Sequence, residues 1–217
     1  MTKQALIFDT ETSGLFPRYK TFQDILHMDK TLWPYLIQLS FMVTSQYGRT
    51  VKEGNTYVEL PEGVSVPQEA TNINGITNAK LNEQGVSLYK ALQSFYEAYK
   101  NADIIIGHNV DFDMYMIRIS VIRLRNQLKE QGCVKFPEFI TQMTFEDKKI
   151  FDTMKQGRNI CKIPIKDKFG NEFMKSPKLK ELHATLFPGD QLEEHQLHNS
   201  MYDVSITNKC YQKMRTI

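Results

Sequence analysis

The sequence predicts an α/β domain built on a mixed sheet. Three observations carry that expectation: an apolar run at Ala5–Phe8 that ends in acidic residues, three strand-like segments joined by short turns before Pro61, and an amphipathic helical stretch lying between buried apolar runs. Strands joined by short turns pair antiparallel, whereas a helix between buried strands marks a parallel crossover. Both patterns in one chain give a mixed sheet. With 217 residues, 41% hydrophobic and 24% charged, the chain has an ordinary globular composition and is long enough to bury a full core as one domain over 1–217.

The first strand leads into Asp9, Glu11 and Gly14. Side chains alternate faces along a strand, so Asp9 and Glu11 point the same way. Two like charges side by side repel, and a divalent cation between them removes the repulsion. Taken alone, the pair describes a solvated strand end before a turn equally well. Residues 15–33 lack a sustained period and read as a long loop with room for a helical turn. Tyr35–Val43 is apolar enough for a second strand, Gln46–Arg49 for a turn, and Thr56–Leu60 for a third strand closed by Pro61.

Pro67–Leu81, broken at Gly75, reads as loop and short helix. Leu88, Leu92, Phe95, Tyr96 and Tyr99 recur at helical spacing behind Ser87 as N-cap, and that aromatic stripe is expected in the core. Asp103–Gly107 is a buried strand rich in branched side chains. A long helix follows from about Asp111, read as its cap, to Gln131, with Met114, Ile117, Val121, Leu124 and Leu128 on its apolar face. Asp113 then lies in the first turn beside the preceding strand end, either as a carboxylate favoured by the helix dipole or as a functional group. Residues 132–147 are irregular with room for a short helix, and Ile150–Thr153 is a short strand opening into a helix.

From Lys148 to Lys180 lysine and arginine far outnumber Asp152, Asp167 and Glu172, and Pro164, Gly170 and Pro177 make the stretch a loop or hairpin. It reads as a solvated loop or as a phosphate-contacting arm. A helix carrying Leu179, Leu182 and Leu186 ends at Phe187–Pro188–Gly189. In the last helix, Asp203 shares the stripe of Val204, Ile206, Tyr211 and Met214, where an unpaired carboxylate is costly. His198 meets Asp203 only if it lies in the loop before that helix, because a five-residue offset turns about 500° on an ideal helix.

Several classes are excluded. No segment approaches the ~20 apolar residues of a membrane helix, and the short first run, ending in acids, is unlike a signal peptide. Cys133, Cys161 and Cys210 are odd in number and widely spaced, which fits a reducing cytoplasm with neither a disulfide framework nor a zinc site. The net charge of +2 is too mild to argue for nucleic acid by itself.

Four carboxylates stand at element ends, with a histidine five residues before the last. The stretches FDTETSG (8–14), GHNVDFD (107–113) and HNSMYD (198–203), in this order, resemble the DnaQ-like (DEDDh) family of 3′→5′ exonucleases; NINGIT (72–77), FDTM (151–154) and PKLKELHATLF (177–187) are weaker echoes. The resemblance runs from about residue 5 to 213. It implies an RNase H-like fold, with a central mixed sheet of five strands, the second antiparallel, flanked by helices. It also implies metal-dependent release of nucleoside 5′-monophosphates from single-stranded or frayed DNA ends.

Two cations about 3.5–4 Å apart relieve charge on the attacking and leaving oxygens, and hard oxygen ligands suit Mg²⁺ or Mn²⁺. By the resemblance, Asp9, Glu11 and Asp203 hold the tighter cation, Asp9 bridges to the second, and Asp113 ligates partly through water. His198, rather than His195, is the general base, a task for which an imidazole titrating near neutrality is suited. Thr12, Leu15, Asn109 and Phe112 would contact the terminal nucleotide. Ser200 stands where the family more often has Ala, and the loops at 15–33 and 132–176 exceed a minimal member. The motifs do not report the sugar, so an exoribonuclease of the same fold stays open, as does an inactive nucleic-acid-binding or polymerase-associated module. The chain has no room for a polymerase domain, so proofreading would need a separate polymerase partner.

Overall fold

A computed structural model describes residues 3–217. The central sheet contains β1 (Gln4–Thr12), β2 (Leu36–Ser45), β3 (Thr50–Tyr57), β4 (Ile104–Gly107) and β5 (Lys149–Asp152), in the order β3-β2-β1-β4-β5. β2 runs antiparallel to both β1 and β3, while β1, β4 and β5 are parallel. The expected five-stranded mixed sheet is therefore present. Its parallel half is entered through α4 (Leu88–Tyr99), whose N-cap is Ser87 and whose Phe95, Tyr96 and Tyr99 are buried.

β1 is covered on both faces. Leu6 and Phe8 pack with Leu92 and Phe95 of α4 and with Ile117 of α5 (Val110–Glu130). Ala5 and Ile7 pack with Val204 and Tyr211 of α9 (Ser200–Met214). Burying each large side chain here contributes about 1.5–3 kcal/mol, so β1 is anchored from both sides. The same alternation carries Asp9 and Glu11 onto the α9 side.

β1 runs on through both carboxylates to Thr12, further than the apolar run indicated, because antiparallel pairing continues at Asp9↔Ser40 and Glu11↔Gln38. Parallel pairing with β4 ends at Ile7↔Ile106. Beyond Ile7 one edge of β1 is open, and the acidic residues occupy that opening.

Other boundaries differ from expectation. β3 starts at Thr50, well before residue 56, because the turn at 46–48 returns the chain directly onto β2; its side chains are mostly exposed, so apolar content did not mark it. The loop at 15–33 contains α1 (Phe22–His27), closed by a Thr21–Asp24 capping box. It packs on α5 through the ring contacts Phe16–Phe112 and Phe22–Tyr115. Residues 67–84 hold two helices, α2 (Gln68–Asn74) and α3 (Asn78–Gln84), separated at the left-handed Gly75. α5 starts at Val110 after Asn109 in the left-handed region, so Asp111 is not its cap. Asp111 instead meets Lys155 Nζ at 2.6 Å.

The segment after α5 contains α6 (Glu138–Gln142), and β5 leads into α7 (Thr153–Cys161). The lysine-rich stretch that follows is a hairpin of β6 (Pro164–Lys166) and β7 (Glu172–Met174), before α8 (Leu179–Leu186). Cys133, Cys161 and Cys210 are free thiols, and no described helix is long and apolar enough to cross a membrane.

Asp152, at the end of β5, ties the parallel strands together at their C-terminal ends. Its Oδ1 accepts from Met154 N (2.9 Å) and Lys155 N (3.3 Å), capping α7, and from Asn109 N (3.0 Å) at the β4–α5 turn. Removing that carboxylate strands three backbone donors. Asp152→Ala is expected to cost about 2–4 kcal/mol, read as a lower urea midpoint at unchanged slope. A loss below ~0.5 kcal/mol would show that the turn holds without it.

Candidate active site

The site forms where β1 loses its parallel neighbour. Asp9, Glu11 and Asp203 each bring a carboxylate oxygen within 4.8 Å of the other two. Two unit charges at that separation repel by on the order of 3 kcal/mol at an effective dielectric of ~20, more than a typical hydrogen bond returns. Burial and the neighbouring carboxylates act in the same direction. Burial, then Asp113, Glu11 and Asp203, raise the Asp9 pKa well above the ordinary carboxylate value. Burial, then Asp203 and Asp113, push Glu11 up to about 8, against a hydrogen bond from Asn74. Burial raises Asp203 to about 6.

Asp203 is delivered by the start of α9. Asn199 caps that helix by accepting from Met201 N and Tyr202 N. The next residue, Ser200, is fully buried and its hydroxyl lies 2.6 Å from that of Ser40 on β2. Here serine does what alanine could not, pinning the helix start to the strand paired with Asp9. One Asp203 oxygen, Oδ2, accepts from His198 N at 3.3 Å; the other, Oδ1, is buried without a hydrogen-bond partner. A buried carboxylate oxygen in that position, next to two more carboxylates, fits a hard divalent cation.

Asp113 is held from the other face of β1. Its Oδ1 accepts from Thr10 N (3.0 Å) and from the Thr10 hydroxyl (2.6 Å). Burial raises its pKa to about 7, against those hydrogen bonds. It is close enough to Asp9 to raise that group, but is not within the tight group of three.

A cleft of about 720 Å³ opens over this cluster, lined by Asp9, Asp203, His198, Asn109 and Leu15 on one side and by Met154, Ser176–Lys180 and Leu197 on the other. His198 lies before α9 in the left-handed region (φ 67°), the loop position that allows it to meet Asp203. His195 is largely exposed, and its Nε2 lies 3.7 Å from Glu193. Leu15 stands at the cleft mouth with 79% of its surface exposed. Thr12 is buried and gives its hydroxyl to the Gly14 carbonyl at 2.5 Å, so its side chain shapes the turn under Leu15. Phe112 packs edge-on against Phe16.

Sequence reasoning left out the groups that hold these residues. Thr10 fixes Asp113, Asn74 restrains Glu11 and donates to the Thr12 carbonyl at 3.5 Å, and Asp152 fixes the amide of Asn109. His108 joins the two walls of the cleft: Nδ1 is 3.0 Å from the Thr153 hydroxyl and Nε2 is 3.1 Å from the Pro177 carbonyl oxygen. The NINGIT and FDTM stretches were the available signals for Asn74 and Asp152.

Comparison with known proteins agrees with this geometry. The RNase T exonuclease family model matches residues 6–211. Among solved structures, E. coli exonuclease I in complex with a dA16 oligonucleotide is 17% identical with a TM-score of 0.67, over 99% of this chain and 41% of that one. The zinc-bound form of an E. coli exonuclease I–single-stranded DNA complex gives 16% and 0.67, over 100% and 41%. Exonuclease I from Methylocaldum szegediense gives 17% and 0.68, over 99% and 40%. The chain thus spans about two fifths of the exonuclease I structures it matches. None of the curated proteins matches it. By its family match and its mixed five-stranded sheet, the chain belongs to the exonuclease family, DnaQ-like members of the RNase H-like superfamily.

Proposed function

We propose that this chain is a metal-dependent 3′→5′ exonuclease that releases nucleoside 5′-monophosphates from single-stranded or frayed DNA ends. The observation that carries the reading is the convergence of Asp9, Glu11 and Asp203 within 4.8 Å at the floor of an open cleft that His198 also lines. Asp9, Glu11 and Asp203 hold one divalent cation, Mg²⁺ or Mn²⁺, and Asp9 with Asp113 holds a second. When bound, such cations polarise the scissile phosphate and make water a stronger nucleophile.

The remaining steps belong to the protein. His198, exposed at the cleft, accepts the proton of the attacking water. The backbone N–H of His198 holds Asp203 in place, so base and ligand are positioned by one loop. Leu15, Asn109 and Phe112, with the turn that Thr12 closes, seat the terminal nucleotide, the side on which hydrolysis leaves the 5′-phosphate. The single domain of 1–217 acts in the cytoplasm, and any polymerase association is through a separate chain.

Two measurements test this reading. With 5′-labelled single-stranded DNA and Mn²⁺, wild-type protein gives a shortening ladder, and Asp9→Asn lowers kcat by more than about 10³-fold. His198→Ala lowers it by about 10²–10⁴-fold, while His195→Ala stays near wild type. Binding without any cleavage would instead support an inactive nucleic-acid-binding module, and faster loss of RNA than DNA would make the enzyme an exoribonuclease.

The second measurement concerns pH. Carboxyl groups with raised folded-state pKa values retain protons that the unfolded chain has released, so stability without metal falls as pH rises between about 4 and 8. In chelator, melting temperature is expected to drop across that window, and Mn²⁺ to restore it more at pH 8 than at pH 5. Asp9→Asn in chelator at pH 8 should melt higher than wild type, by about 2–4 °C per kcal/mol of repulsion removed. A lower melting temperature for that variant would show that the carboxylate stabilises the fold.

A further inference from the structure

The β6–β7 hairpin has its base at the cleft. Lys175 N donates to the Ile163 carbonyl at 3.0 Å, and the next residues, Ser176–Lys180, form the cleft wall. Its tip is tightly built. Asp167 Oδ1 accepts from Phe169 N (2.8 Å) and Asn171 N (2.9 Å), and its Oδ2 accepts from Asn171 Nδ2 (3.0 Å). Gly170 supplies the left-handed corner at φ 87°. This network fixes the backbone of Phe169, whose ring is nonetheless 78% exposed and belongs to none of the described core clusters. Lys168 Nζ lies 4.9 Å from the ring centre. Phe173, on β7, is also exposed. Lys166 is paired with Glu172, but among the described residues Lys162 and Lys168 take part in no ion pair.

Packing does not account for an ordered turn that presents a phenyl ring to water. Exposed aromatic rings interleaved with lysines match single-stranded nucleic acid, whose bases stack and whose phosphates need cations. We propose that the β6–β7 hairpin is a stacking platform for single-stranded DNA, in which Phe169 receives a base upstream of the 3′ end while Lys162 and Lys168 hold adjoining phosphates. The inference rests on the exonuclease reading above. The lysines favour a polyanion over a protein partner as the occupant of the exposed rings. Strand geometry places the tip roughly 15–20 Å from the cleft wall, beyond the reach of a very short substrate, so the platform acts on long ones only.

The test compares a 5′-labelled twelve-nucleotide oligothymidylate with a trinucleotide in Mn²⁺. Phe169→Ala is expected to raise KM for the longer substrate about 5- to 10-fold and to leave the trinucleotide unchanged. Phe169→Trp should retain wild-type KM, and Lys162→Ala with Lys168→Ala should flatten the salt dependence of binding. Equal KM for wild type and Phe169→Ala on the long substrate, or an equal shift on both, would overturn the platform. If wild type cleaves neither substrate, the exonuclease reading fails. Fluorescence anisotropy of the longer oligomer in chelator then tests the platform alone: weaker binding by Phe169→Ala supports it, and equal binding, as for a hairpin that docks a protein, overturns it.

Discussion

Mutual repulsion among Asp9, Glu11 and Asp203 is the constraint around which the rest of the structure is arranged. Three carboxylates within 4.8 Å resist folding unless the scaffold holding them is stronger than their repulsion. The scaffold here is a strand buried on both faces and a helix start pinned to the neighbouring strand. Leu6 and Phe8 on one face and Ala5 and Ile7 on the other fix β1, so its last residues cannot turn away. The Ser40–Ser200 contact fixes the start of α9, from which Asp203 projects. The carboxylates therefore stay together at a cost that a cation removes, which is how a fold prepares a metal site in advance.

Around this centre the supporting contacts follow one pattern, in which a polar side chain on one element satisfies backbone on another. Asp152 fixes the β4–α5 turn, Thr10 fixes Asp113, Asn74 restrains Glu11, and His108 joins the β4–α7 floor to the Pro177 wall. The open edge has the same origin. β4 ends at Gly107, where an added Cβ would lie 2.8 Å from the side chain of Val110, so the chain turns sharply into α5 and leaves the end of β1 unpaired. Sheet topology, rather than loop flexibility, provides access for a nucleic-acid end.

Much of this was legible in the sequence, for physical reasons. The Ala5–Phe8 run, the Ser87 cap and the helical stripe through Phe95 and Tyr99 are local signals, and each appears where expected. The alternation that places Asp9 and Glu11 on one face is a property of any strand. β3 was misplaced because an edge strand with exposed side chains lacks the apolar signature of a buried one. The cap of α5 was misread because Asn109 takes a left-handed conformation and is held by Asp152, far away in sequence. Thr10, Asn74 and Asp152 were not identified as supports because their roles exist only through long-range hydrogen bonds. The lysine-rich stretch was recognised as loop or hairpin, but the exposure of Phe169 depends on the Asp167 turn and needed the coordinates.

The central claim, that the carboxylate cluster exists to hold divalent cations, is tested most directly by calorimetric titration of Mn²⁺ into chelator-treated protein in buffers of different ionisation enthalpy. Carboxylates with raised pKa values must release protons when a cation binds. The account predicts saturable binding with net proton release at pH 6, less release at pH 8.5, and loss of the tighter site in Asp203→Asn. Absence of binding, or binding of equal strength in that variant, would contradict it.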